Sequence, residues 1–164
     1  MTQLPRSAAR FLEAAKASGL TIEIRTMADS TRTAEEAADA CGCTPAQIVK
    51  SLVFQGSSSS KPYLLLSSGK NRVDQKTMAQ VIGEKLIRPS AEYVREITGF
   101  AIGGIPPLGH AVAMDTYMDL DLLDFATVFA AAGTPNCIFE VSPEALGHAA
   151  GATLAPLSGS GPRM

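Results

Sequence analysis

Tryptophan is absent from the 164 residues, histidine occurs twice and cysteine three times. Each scarcity closes a door. Cys41, Cys43 and Cys137 are odd in number, and the first two form C-G-C rather than C-x-x-C. With only His110 and His148 beside them, no zinc pattern and no disulfide framework is spelled out, and idle thiols in a reducing compartment are expected. No stretch approaches the ~20 uninterrupted apolar residues of a membrane span. The N-terminal "MTQLPRSAARFLEAAKASG" reads as an amphipathic helix without the apolar core of a signal peptide, so a cytoplasmic location and no membrane partner are expected. The nucleophile elbow G-x-S-x-G, the phosphate loop G-x-x-x-x-G-K-[ST] and the dinucleotide fingerprint G-x-G-x-x-G are all missing. Neither metal nor cofactor is called for. Any catalysis must rest on positioning and backbone electrostatics.

What is present suffices for one core. Apolar residues make up 46% of the chain, and no linker divides it, so residues 1–157 read as a single domain with a disordered tail, "SGSGPRM", over 158–164. The formal charge is only −2, but it is unevenly spread. From Lys50 to Arg88 there are seven basic residues against two acidic ones. That segment is either a solvated face or a landing area for phosphates on an otherwise acidic body.

Start and stop signals are plain. Thr33 with Glu36 forms a capping box for a helix ended by Gly42, and Thr44, Pro45 and Gln47 repeat the device. Asp74, Ser90 and Ser142 are further caps, with Gly83 and Gly99 as stops. Between the helices, "TIEIR", "IVKSLVFQG", "YLLLS", "KLIRP", "HAVAMDTYM" and "CIFEV" read as strands. "DLDLLDFATVFAAAG" reads as helical or mixed. The alternation predicts an α/β or α+β domain with a mixed sheet.

Two features could carry chemistry. Lys50 is the sole charge in "IVKSLVF", a strand otherwise fit for burial. Such a lysine either snorkels to the surface or puts a compact positive charge into a cleft. The second is "GFAIGGIPPLGH", residues 99–110, with four glycines, two prolines and no charge but the closing His110. It is either a tight crossover or a segment that presents backbone to another molecule. His110 has the unperturbed pKa of a general base, and it could equally contact substrate or serve structure. His148 reads as a surface or helix-end residue.

Five ordered blocks, "STRTAEEAA", "QIVKSLVF", "GKNRVDQKTMAQVIG", "VREITGFAIGGIPPLGH" and "AAGTPNCIFEVSPEAL", together resemble the YbaK/prolyl-tRNA synthetase-associated domain family of free-standing editing deacylases. The resemblance runs from about Thr21 to Leu157. It implies a single α/β domain whose mixed, partly barrel-like sheet is flanked by helices. It also implies hydrolysis of the ester on mischarged tRNA, typically tRNA for proline carrying a small wrong residue such as Ala, 2-aminobutyrate or Cys. The partners implied are the aminoacylated 3′ end of tRNA and prolyl-tRNA synthetase. Matching the family's motifs puts Lys50, Gly103 and Gly104 in catalytic roles. Ser51, Ile105, Pro106, Pro107, Gly109, His110 and Asn136 become substrate contacts. A non-catalytic tRNA- or synthetase-binding module of the same fold is the alternative.

Overall fold

The computed structural model describes residues 4–28, 31 and 33–159. Ser30 and Arg32 of the first motif, and residues 160–164 of the expected tail, lie outside them. Chain order gives α1 (Arg6–Ala17), β1 (Ile24–Thr26), α2 (Ala34–Cys41), a 3-10 turn (Pro45–Gln47), β2 (Ile48–Gly56), β3 (Pro62–Ser68), α3 (Gln75–Ile82) and β4 (Leu86–Ile87). Then follow α4 (Ala91–Thr98), β5 (Asp115–Asp119), a second 3-10 turn (Leu120–Asp124), β6 (Val128–Ala131), β7 (Cys137–Val141), α5 (Pro143–Ala150) and β8 (Thr153–Ala155). The described residues form one α/β domain, in which a mixed sheet of eight strands is flanked by five helices.

The sheet runs β1-β7-β6-β2-β3-β5-β8, and β4 joins β2 on the side that faces β6. Three pairs are parallel, β2 with β6, β3 with β5 and β5 with β8; the rest are antiparallel. β3 lies inside the sheet between β2 and β5, and its unbroken "YLLL" follows from burial on both faces. Leu64 and Leu66 enter the main core, while Tyr63 and Leu65 enter a second one with Phe54 and Met78. Each such leucine stabilises the fold by about 1.5–3 kcal/mol. On the main-core side α1 buries Ala8, Phe11 and Ala15, one helical stripe, with Phe11 5.0 Å from the Phe139 ring.

The caps form as the residue types predict. Glu36 N–H donates to Thr33 Oγ1 at 3.1 Å, and Thr33 N–H donates to Glu36 Oε1 at 3.2 Å. Asp74, Ser90 and Ser142 each accept a first-turn amide.

Three elements differ from their sequence pattern. "TIEIR" pairs only from Ile24, and "HAVAMDTYM" only from Asp115. In the second case Ala111 and Val112 donate their amides to Thr98 and Ile97 carbonyls, so this stretch satisfies the end of α4 and is lost to the sheet. "DLDLLDFATVFAAAG" divides into the second 3-10 turn and β6, and "TLA" adds β8.

Candidate active site

A cavity of about 600 Å³ opens where α2, β2, β6 and the Gly/Pro segment meet. Lys50, Ser51, Gly103 and Ile105 all line it, joined by Thr31, Glu35 and Ile102. A smaller cavity of about 230 Å³ adjoins it, and Ser51, Leu52, Ile102 and Ile105 belong to both. The second is walled by Val53, Phe54 and Val94, with Arg88 at its edge over the Phe54 ring.

Lys50 is held from behind. Its Nζ donates to the main-chain oxygen of Asn71 at 2.8 Å. The Asn71 amide in turn donates to Asp119 at 2.9 Å and to Asp121 at 2.7 Å. Asp119 is 1% exposed, and it also accepts the amides of Ser68 and Asp121, both at 3.1 Å. A buried carboxylate is tolerated only when its oxygens are satisfied in this way. The outcome is a fixed loop whose carbonyl aims one ammonium group. Burial is the leading cause that pulls the Lys50 pKa below the ordinary lysine value, and Arg72 and Arg88 push the same way, while Glu35 and Asp119 oppose. Two of the basic residues noted in sequence therefore converge on the lysine.

The Gly/Pro segment splits into a lining part and a supporting part. Gly103, at φ +100°, lines the cavity, and no hydrogen bond among the described residues engages its N–H. Gly104 differs from the expectation. It donates its N–H to Ala101 at 3.1 Å, and its carbonyl accepts from Gly133 at 3.0 Å. A Cβ there would lie 2.5 Å from the Thr134 backbone, so this glycine serves a close crossing of two loops. Pro106 and Pro107 are buried behind the lining. Pro106 accepts from His110 Nε2 at 2.7 Å, and the His110 ring meets Phe100 edge-on at 6.3 Å. Burial lowers the His110 pKa, which fits a neutral ring used as a fastening. Gly109, at φ +81°, packs against Ala14 of α1. Asn136 donates to the Met27 carbonyl at 3.2 Å and accepts from Thr134 at 3.1 Å, tying the β6–β7 turn to the chain after β1. Pro106, Pro107, Gly109, His110 and Asn136 thus stand outside the cavity lining.

Sequence reasoning overlooked Asn71, Asp119, Glu35 and Ile102. Asn71 lay within a quoted motif, "GKNRVDQ", and was the findable one. Asp119 sits in the acidic "DLDLLD", where nothing local marks one carboxylate as buried. All three thiols are free; burial and its neighbour Cys43 raise Cys41 to about 11, and burial raises Cys43 as well. Among the described residues no group of His, Cys, Asp and Glu could hold a metal ion, and no helix is long and apolar enough to cross a membrane.

The chain is similar to known proteins along most of its length. YwhH of Bacillus subtilis, an uncharacterized protein, is 37% identical over 117 residues, which is 71% of this chain and 74% of that one. EbsC of Enterococcus faecalis, named a "putative Cys-tRNA(Pro)/Cys-tRNA(Cys) deacylase", is 26% identical over 114 residues, 69% of each chain. A solved structure described as a "putative trans-editing enzyme for prolyl tRNA synthetase" superposes with a TM-score of 0.90 at 43% identity, covering 96% of this chain and all of the other. The model of the aminoacyl-tRNA editing domain matches residues 28–148. With that span covering well over half of its length, the chain belongs to the aminoacyl-tRNA editing domain family.

Proposed function

We propose that the protein is a trans-acting deacylase that hydrolyses the ester of mischarged tRNA, with tRNA for proline carrying Ala, 2-aminobutyrate or Cys as the substrate class. The observation that carries this reading is the pairing, in one cavity, of the aimed ammonium of Lys50 with the unengaged N–H of Gly103. An aminoacyl ester is already activated. Its hydrolysis needs a placed water and donors for the oxyanion that develops on the carbonyl carbon's oxygen. Water adds to the carbonyl carbon, the ester C–O bond breaks, and the amino acid and the free ribose hydroxyl leave. Lys50 and Gly103 stabilise the intermediate charge. The proton from water passes to the departing ribose oxygen, with the neighbouring ribose hydroxyl or the substrate's own amine as carrier; no histidine lines the cavity, and Glu35 is the carboxylate that does.

Ser51 and Ile105 serve as substrate contacts, and Arg72 and Arg88 as phosphate contacts. Gly104, Pro106, Pro107, Gly109, His110 and Asn136 build the loops behind them. Prolyl-tRNA synthetase is the partner that would deliver the tRNA, and the cytoplasm the place. A deacylation panel tests the reading: purified protein against tRNA for proline charged with Ala, Cys, Ser, Thr, 2-aminobutyrate and Pro. Release of at least one small residue, with Pro spared, is expected. Binding of charged tRNA without release of any would make the protein a binding module.

A further inference from the structure

The sheet has a hole in it beside Lys50. β3 accompanies β2 from Val49 to Gln55. On the other side of β2, β6 pairs only with Ile48 and Val49, and β4 only with Gln55 and Gly56. Two devices keep the strands apart. β4 ends at Ile87, and two residues on Pro89, which borders the smaller cavity together with Val53, has no N–H to continue the ladder. On the β6 side, Ala132 keeps the β6–β7 register by donating to Cys137 at 2.9 Å, and the next amide, Gly133, donates to Gly104 at 3.0 Å instead of to β2.

The main-chain groups of this edge have a defined direction. Ile48 accepts from Gly69, and Gly56 donates to Lys61, so even-numbered residues of β2 face β3. The two-residue period of a strand then turns the N–H and C=O of Ser51 and Val53 into the gap. No strand pairing or other main-chain bond among the described residues takes them up. Ser51 Oγ is buried without a hydrogen-bond partner as well. Orphaned polar groups inside a protein are uncommon, and here three kinds converge on one residue pair. Both cavities border the same edge and share Ser51, Leu52, Ile102 and Ile105, so they form one cleft along it.

We propose that this interrupted edge is the subsite for the aminoacyl group. The α-ammonium donates to the main-chain carbonyls of the Ser51–Val53 edge and to Ser51 Oγ, and the amino-acid side chain enters the 230 Å³ cavity between Val53, Val94 and Ile105. The dimensions favour a single residue over a peptide strand. Ser51 and Val53 lie one pleat period, about 7 Å, apart, and β6 and β4 close the edge on either side. The assignment rests on the deacylase reading, and it adds what recognises the amine.

Two non-hydrolysable ligands separate the possibilities: adenosine bearing alanine through a 3′-amide, and the same compound with a propanoyl group, which lacks only the amine. Wild-type protein is expected to bind the alanyl compound about 10-fold or more tighter, as charged hydrogen bonds command. In Ser51→Ala that ratio falls several-fold, while the melting temperature stays level or rises because an unpartnered buried hydroxyl has gone. Glu35→Gln, which alters the carboxylate that lines the cavity, leaves the ratio unchanged. Equal affinity of wild type for the two ligands overturns the subsite, as does a ratio lost in Glu35→Gln but kept in Ser51→Ala. Deacylation of alanyl-tRNA, measured in parallel, keeps the two claims apart. Activity with equal affinities sinks the subsite alone, whereas no activity and no binding of either ligand removes the deacylase reading with it.

Discussion

Lys50 and Asp119 never touch, yet Asn71 links them: its carbonyl holds the ammonium at 2.8 Å, and its amide is held by the buried carboxylate at 2.9 Å. The negative charge of Asp119 also supports the protonated lysine against burial. Asp119→Asn should therefore act on Lys50 at a distance. Stability should drop by about 1–3 kcal/mol from mismatched hydrogen bonds. The sharper readout is the pH profile. Lys50 works protonated, so turnover should fall on the alkaline side, at a pH below 10.5 because burial lowers its pKa. In Asp119→Asn that limb should move to lower pH still, which a purely structural defect would not produce. Spontaneous ester hydrolysis is subtracted at each pH.

Gly104→Ala should damage the fold before it damages chemistry. The added Cβ would meet the Thr134 backbone at 2.5 Å, and backbone cannot rotate away as a side chain can. Overpacking of this kind costs about 1–3 kcal/mol, visible as a lower denaturation midpoint. A variant of wild-type stability with lost turnover would instead return Gly104 to the substrate.

His110 should register in stability and not in catalysis. Its folded pKa is depressed by burial, so the folded state favours the neutral ring. The contribution is whole above the ordinary histidine value of 6.5 and is lost as pH falls through the lower folded value. Chemical denaturation between pH 7 and 5 should show that decline in the wild type. In His110→Gln the decline should flatten, with turnover at pH 7.5 within a few-fold of wild type. A loss of 10²-fold or more would mark a side-chain base.

Salt should weaken substrate binding although the net charge is −2. Arg72 and Arg88 lie near enough to Lys50 to depress its pKa, while Lys61 pairs with Asp115 at 3.4 Å by the β2–β3 turn. Removing both arginines should reduce the slope of log affinity against log salt by roughly 1.4, as two single-strand phosphate contacts require. Lys61→Ala should leave it alone. Equal effects of the two changes would mean a diffuse field with no placed phosphates.

How far the sequence carries can be traced through individual residues. Helix ends were legible because a cap is a local device: Thr33, Asp74, Ser90 and Ser142 each bond an amide within three residues. Lys50 was legible because a lone charge in an apolar strand is conspicuous. The gap beside it was not. It depends on where β4 and β6 stop along β2, which is a matter of long-range register, and Pro89 gives no local hint that it borders the same cavity as Val53. Gly103 and Gly104 look alike in sequence, and only the approach of Thr134 assigns the second to packing. "HAVAM" alternates like a strand, but the open carbonyls of α4 claimed its amides.

The central claim is that Lys50 and the cleft around it hydrolyse an aminoacyl ester. Its most direct test is single-turnover deacylation of alanyl-tRNA for proline by wild type and by Lys50→Ala, with circular dichroism and denaturation confirming that both are folded. Wild type should release alanine well above the spontaneous rate, and the variant should be slower by about 10²–10³-fold, the worth of one oxyanion contact. A folded Lys50→Ala protein that releases alanine at the wild-type rate would contradict it.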